Sequence, residues 1–226
     1  MVPVSFTFGF CGEELALTPA RALYWPRERA LLVADLHLEK ASFYARHGQM
    51  LPPYDSRETL GRLADAVRQF DARRVFTLGD NFHDAEGAAR LEPHAAGMLA
   101  ALTRATDWVW ITGNHDHGET MGTALAELDV HGLLLRHEAV AGDMRPELSG
   151  HFHPKVRLRL RDRHVARPCA VVSERKLILP AFGALTGGMD AGDPAIIQAL
   201  QPARAVDALV PTAKKLARLP LWREAA

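Results

Sequence analysis

Four times in this chain a short apolar run stops at a cluster of Asp, Asn, His and Gly, and this punctuation limits the fold more than any other feature. Ala30-Leu31-Leu32-Val33-Ala34 ends at Asp35-Leu36-His37, and Val75-Phe76-Thr77-Leu78 ends at Gly79-Asp80-Asn81. Trp108-Val109-Trp110-Ile111 leads to Gly113-Asn114-His115-Asp116, and Leu133-Leu134-Leu135 leads to His137. A fifth cluster, Gly150-His151-Phe152-His153, follows. Short, continuously apolar runs suit strands buried on both faces of a sheet. In α/β sheets, loops beyond the carboxyl ends of such strands converge on ligands, so clusters far apart in sequence can meet at one edge.

The segments between the runs have helical spacing. Asp55-Ser56 offers an N-cap for a helix carrying Leu60, Leu63, Ala64, Val67 and Phe70. Leu91, Ala95, Met98, Leu99 and Leu102 mark a second helix, and a third is expected around 119–128. The first thirty or so residues read as β structure with turns. After residue 150 the pattern is again all-β, with Val156, Leu158 and Leu160 alternating with arginines and short strands at 170–172 and 177–179. The expected class is α/β and layered, with one domain over 1–201. From Pro202 to residue 226 the chain reads as a short helix or loose extension, packed on that domain or trailing from it.

Composition excludes several classes of function. Lys and Arg balance Asp and Glu at 27 each, for a net charge of +0, so no global field recruits a polyanion. Any nucleic-acid contact must come from a local patch. Cys11 and Cys169 form no disulfide framework, no stretch approaches the roughly 18–20 apolar residues of a membrane span, and residues 1–10 do not read as a signal peptide. The expectation is a cytoplasmic protein with no membrane partner.

Carboxylate, amide oxygen and neutral imidazole are ligands for divalent ions of the Mn, Fe, Zn and Ni class. In Asp35-x-His37 and His151-x-His153, alternating residues on extended backbone would aim two ligands into one pocket. The glycines at 79, 113 and 150 permit tight turns and close backbone approach.

Taken in order, the clusters resemble the motifs of the calcineurin-like metallophosphoesterases: DxH, GDxx(D/H), GNH(D/E), a lone His, then GHxH. The resemblance runs from about Ala30 to Pro154. It implies a β-sandwich flanked by helices with a two-metal site at strand ends. It further implies that Asp35, His37, Asp80 and His153 hold one ion and that Asp80, Asn114, His137 and His151 hold the other, with Asp80 shared. Two ions about 3.5–4 Å apart would lower the pKa of a shared water, giving a hydroxide for in-line attack on phosphorus. By the same resemblance His115 aids the leaving group and Asp116 orients its neighbours. The pattern departs at His83, where many members carry Asp; an imidazole there would not raise the pKa of His115 and would instead reach the substrate phosphate or support the ligands.

Three further stretches resemble a bacterial subgroup, the ligase-associated DNA damage response endonucleases: 41–44 through Leu51-Pro52-Pro53-Tyr54, Gly-His-Phe-His-Pro at 150–154, and Leu179-Pro180-Ala181-Phe182-Gly183 with Thr186-Gly187-Gly188. This resemblance implies a manganese-dependent phosphodiesterase or nuclease on DNA beside ligase, helicase or nuclease partners in repair, with Fe, Zn, Ni and Mg left open as metals. Tyr44, Arg46 and His47 follow the first motif and either reach over the metals toward substrate, with Asn114, or pack a loop. Arg157, Arg159, Arg161 and Arg163 recur at period two and would line one strand face, either solvated or along a phosphate backbone. A nucleotide or small-molecule phosphatase is the alternative. A non-catalytic scaffold stands last, since such proteins usually lose ligands or the motif-three histidine. Oligomeric state is left open.

Overall fold

The structure, a computed structural model, describes residues 5–116, 124–160, 163–212 and 215–225. Its first sheet forms in chain order. Strands β1 (Phe6–Phe10), β2 (Glu13–Leu17), β3 (Leu23–Trp25) and β4 (Ala30–Val33) make an antiparallel meander. Strands β5 (Arg74–Leu78), β6 (Asp107–Ile111) and β7 (Ala124–Leu125) then add in parallel. The crossovers carry helices α1 (Lys40–Arg46), α2 (Asp55–Phe70), α3 (Gly87–Arg90) and α4 (Pro93–Ala105).

The second sheet starts with β8 (Glu127–Val130), β9 (Leu133–Arg136) and β10 (Glu147–Ser149). The chain then leaves it for a two-stranded hairpin, β11 (Lys155–Leu160) with β12 (Arg163–Pro168). It returns as β13 (Ala170–Val172) and β14 (Lys176–Ile178), passes through α5 (Pro194–Ala199), and ends in β15 (Ala205–Pro211) and β16 (Leu216–Arg223). The sheet order is β16-β15-β13-β14-β10-β9-β8.

Period-two alternation explains the layering. In the run from β4, Ala30, Leu32 and Ala34 point between the sheets, among Phe76, Leu133, Leu135, Leu148 and Leu177. Leu31 and Val33 point outward under the helices, among Leu60, Leu63, Leu99 and Trp110. In the second sheet Val171, Ile178, Val206 and Ala208 pack outward on Ile196 and Ala199 of α5 and Val156 of β11. Leu32 is fully buried, and truncating such a leucine to alanine costs about 2–5 kcal/mol.

Several expectations need correction. Of the stretch 119–128, residues up to 123 lie outside the described ones, and the remainder is not helical. Strand β8 pairs antiparallel with β9 across a His131-Gly132 turn in which both residues have positive φ, 52° and 79°. The segment after Pro202 is a hairpin of the second sheet rather than a helix or tail. Buried Asp207 holds it through Arg218 Nε at 2.6 Å and Arg223 at 2.5 Å. Tyr54, not Asp55-Ser56, stands at the N-cap position of α2 and makes no side-chain capping bond, and the Asp55 carboxylate instead accepts from the Ala41 backbone N–H at 3.0 Å. The arginine row does not share a strand: Arg157 and Arg159 sit on β11, Arg163 sits on the paired strand β12 opposite Leu160, and Arg161 lies outside the described residues. Among the described residues no helix is long and apolar enough to cross a membrane.

Candidate metal centre

The loops after the parallel strands are knitted by main-chain bonds. Asp35 N donates to Gly79 O, His37 N to Asp80 O and Leu38 N to Asn81 O, which locks the first two motifs together. Gly150 N donates to His137 O, which locks the last two. The backbone at the ligand positions is not the extended form expected. Asp35, His37, Asp80, His151 and His153 all lie in the left-handed region, with φ of 54°, 44°, 48°, 72° and 50°. For L-residues that region costs about 1–2 kcal/mol each. Left-handed single residues recur where a loop must turn its side chains sharply toward one point, and they concentrate at functional sites.

Seven of the expected residues are brought together. Asp35, His37 and His153 form one cluster and Asp80, His137 and His151 another, the ligand atoms in each lying within 4.8 Å of one another. His37 Nε2 is 3.2 Å from His153 Nε2, which is 3.6 Å from Asp35 Oδ1. In the other cluster His137 Nε2 lies 2.9 Å from Asn114 Oδ1 and 3.1 Å from His151 Nδ1. Asp80 faces both, with Oδ2 3.6 Å from His37 Nε2 and Oδ1 3.5 Å from His137 Nε2. Each carboxylate is also fixed by another motif: Asp35 accepts from His151 N, and Asp80 from His115 N at 3.0 Å. Gly113 allows this, because a Cβ there would stand 2.3 Å from Asp80 N.

Burial selects the protonation states that ligation needs. Asp35, His37, Asp80 and His137 are buried. The His37 imidazole is lowered to about 2, first by burial and then by the nearby charges of His153 and Lys40, so the ring is neutral at pH 7. His137 Nδ1 lies 3.1 Å from the Leu78 carbonyl, an acceptor only, so Nδ1 carries the proton and Nε2 presents a lone pair. That lone pair faces the Asn114 amide oxygen, another acceptor. Acceptors converging from two sides at hydrogen-bond distance are the arrangement a cation resolves, so the donor set fits two divalent ions.

His115 stands beside this set. Its Nδ1 is 2.8 Å from the main-chain carbonyl of His83, which leaves Nε2 pointing into the site, 3.9 Å from Asp80 Oδ2. Its ring is 39% exposed, against 4–8% for His37 and His137 and 31% for His151, so it lies on the open side of the site. The departure at His83 thus has a physical answer. The residue orients His115 through its backbone, while its ring stacks on His115 at 5.3 Å and 17°. Burial, followed by Lys40 and His115, lowers the His83 ring to about 4 and leaves it neutral. Asp116 accepts from Gly113 N, Asn81 N, Phe82 N and Asn81 Nδ2, which ties the second motif to the third.

Of Tyr44, Arg46 and His47, only Tyr44 meets the cluster, stacking on His83 at 5.8 Å. Arg46 pairs with Glu86, and His47 Nδ1 bonds the Phe43 carbonyl at 2.8 Å. Sequence reasoning did not single out Lys40, whose charge acts on both His37 and His83; a lone lysine after a motif carries no spacing signal.

Two packed sheets flanked by helices, with this donor set at the strand ends, define a metal-dependent phosphoester hydrolase. Residues 28–168 match the family model for calcineurin-like phosphoesterase, and the chain belongs to that family, whose members use two divalent ions. Among solved structures it is similar to the Pseudomonas putida nuclease MPE, with 29% identity, a TM-score of 0.72, and coverage of 96% of this chain and 100% of that one. It also matches Yfce, a phosphoesterase from E. coli, with 14% identity and a TM-score of 0.42 over 85% of this chain and 99% of that one. No curated protein matches.

Proposed function

We propose that this hydrolase is a manganese-loaded phosphodiesterase or endonuclease acting on DNA in a cytoplasmic repair setting, alongside ligase, helicase or nuclease partners. One observation carries the two-ion chemistry: Asp80 turns one oxygen toward each ligand cluster. In this reading Asp35, His37, His153 and Asp80 hold one ion, and Asp80, Asn114, His137 and His151 the other. When bound, the pair supplies a water of lowered pKa and positive charge at the phosphoryl oxygens.

The chain's own residues do the rest. His115, held at Nδ1 by the His83 carbonyl, delivers a proton from Nε2 to the departing oxygen. Asp116 and Asn81 keep the two loops in register, so that His115 and Asp80 hold their separation. DNA as substrate is supported by similarity to a nuclease along nearly the whole chain. The test is to strip the protein of metal, add back Mn, Mg, Zn or Ni singly, and offer monoesters, diesters, and single- and double-stranded DNA. Mn-dependent cleavage of diesters and DNA, abolished in Asp80→Asn, is the expected result. Turnover of monoesters or nucleotides alone would overturn the DNA assignment.

A further inference from the structure

A cleft lies beside the metal centre, its Tyr44 wall in ring contact with His83. It has a volume of about 410 Å³ between α1 and the segment 184–187, lined by Lys40, Tyr44, Gln49, Leu51, Leu185 and Thr186 among others. That volume falls within the roughly 300–1,000 Å³ of pockets that take a group the size of a small molecule.

Three features tie the cleft to the reaction. The first is continuity: Tyr44 stacks on His83 at 23°, and His83 on His115 at 17°, so a column of three rings leads from the cleft wall to the group beside the ligands. The second is charge. Lys40 is half-buried and makes no ion pair among the described residues, although its ammonium acts on His37 and His83. The Asp55 and Asp80 carboxylates act on this charge, yet neither closes an ion pair with it, so the partly dehydrated ammonium still favours an anion placed beside the metal site. The third is the apolar rim. Between the lining residues Gln49 and Leu51, Met50 is 84% exposed, the highest value among the large hydrophobic side chains that face solvent. The opposite wall is preformed, since Thr186 Oγ1 donates to Gly183 O and Lys155 Nζ donates to Thr186 O.

A cation, an aromatic ring, aliphatic surface and hydrogen-bonding amide and hydroxyl groups together describe a nucleoside site. A compact phosphomonoester would use only the cation. We propose that this cleft is the subsite for a nucleoside flanking the scissile phosphate, with Lys40 on the adjoining phosphate and the base against Tyr44 and Leu51. The inference rests on the phosphodiesterase reading above and gives it a substrate class: nucleotide-bearing diesters over simple ones.

Three chromogenic diesters with one leaving group test it on the Mn-loaded full chain: bis(p-nitrophenyl) phosphate and the p-nitrophenyl phosphates of thymidine linked through the 5′ or the 3′ oxygen. At least one nucleoside diester is expected to show a kcat/KM tenfold or more above the bis ester, about 1.4 kcal/mol. Leu51→Asp and Lys40→Gln, each melting within a few degrees of the parent, should return that ratio toward one. No preference in the parent, or a ratio unchanged in both variants, would overturn the subsite. Hydrolysis of p-nitrophenyl phosphate alone would sink the phosphodiesterase reading separately. The subsite is then decided by inhibition with thymidine 5′-phosphate, where a tenfold weakening in Leu51→Asp supports it and an unchanged constant overturns it.

Discussion

Gly79→Ala probes the site's packing most sharply. Gly79 has a φ of 77°, and a Cβ built there would stand 2.2 Å from His137 Nδ1 and 2.4 Å from His137 Cγ. Alanine in that backbone region costs about 1–2 kcal/mol before any clash. The clash cannot be relieved by a flexible chain end, because the His137 ring is buried and pinned to the Leu78 carbonyl. The ring must move by roughly 1.2–1.8 Å to reach ordinary contact distance. That movement breaks the Leu78 bond and leaves a buried carbonyl unpaired, a further penalty of about 1–3 kcal/mol. A total near 3 kcal/mol lowers the melting temperature of a chain this size by about 6–12 °C. Gly97→Ala in α4 is the control: nothing lies within 4 Å of its Cβ, and the change should stabilise by about 0.5–1 kcal/mol. Thermal melts of metal-stripped protein and metal content after Mn loading are the assays. If Gly79→Ala melts within a degree of the parent and still binds two ions, the reasoning is refuted.

Chelation should itself destabilise the protein, since ions bound only by the folded state at 100 times their Kd contribute about 2.7 kcal/mol per site; a melt unchanged by EDTA would speak against resident metals. His83→Ala should retain far more diesterase kcat than His115→Ala, because orientation comes from the residue-83 backbone, whereas loss of the proton donor costs about 10²–10⁴-fold. Burial alone would raise the Asp207 carboxyl, but hydrogen bonds and charge from Arg223 and Arg218 outweigh it and hold it below the ordinary value. Its contribution is therefore present above the unfolded pKa and lost as pH falls through the folded one, so the gap in urea midpoint between parent and Asp207→Asn should shrink from pH 7 to pH 3. Burial pushes the Cys169 thiol up to about 12, while Cys11 is exposed; iodoacetamide at pH 8 should label Cys11 alone until denaturant is added, as peptide mapping would show.

The residues that meet at the site were legible because strand ends announce themselves: an apolar run such as 30–34 has one abrupt boundary, and the residue types at that boundary have few other uses. The backbone that delivers them was not. Left-handed φ at Asp35 and His37 goes with the main-chain bonds between motifs, which no local propensity encodes. The end of the expected helix, 127–128, was misread because Glu and Leu favour helix locally, whereas pairing with β9 decides the outcome. The last segment deceived for the same reason. Its Pro220 is tolerable in a strand because β16 lies at a sheet edge. Lys40 and the cleft depend on the packing of α1 against 184–187, a meeting of residues about 140 apart in sequence.

Each ligand cluster draws on both sheets. Asp35, His37 and Asp80 follow strands of the first, while His137, His151 and His153 follow strands of the second. During synthesis, with the N-terminal part emerging first, neither cluster can close until residue 151 or 153 has left the ribosome and its sheet has docked. A half-made chain therefore cannot cleave, and neither can a protein whose sheets have parted. Hydrolytic competence therefore reports that both sheets have been made and have docked.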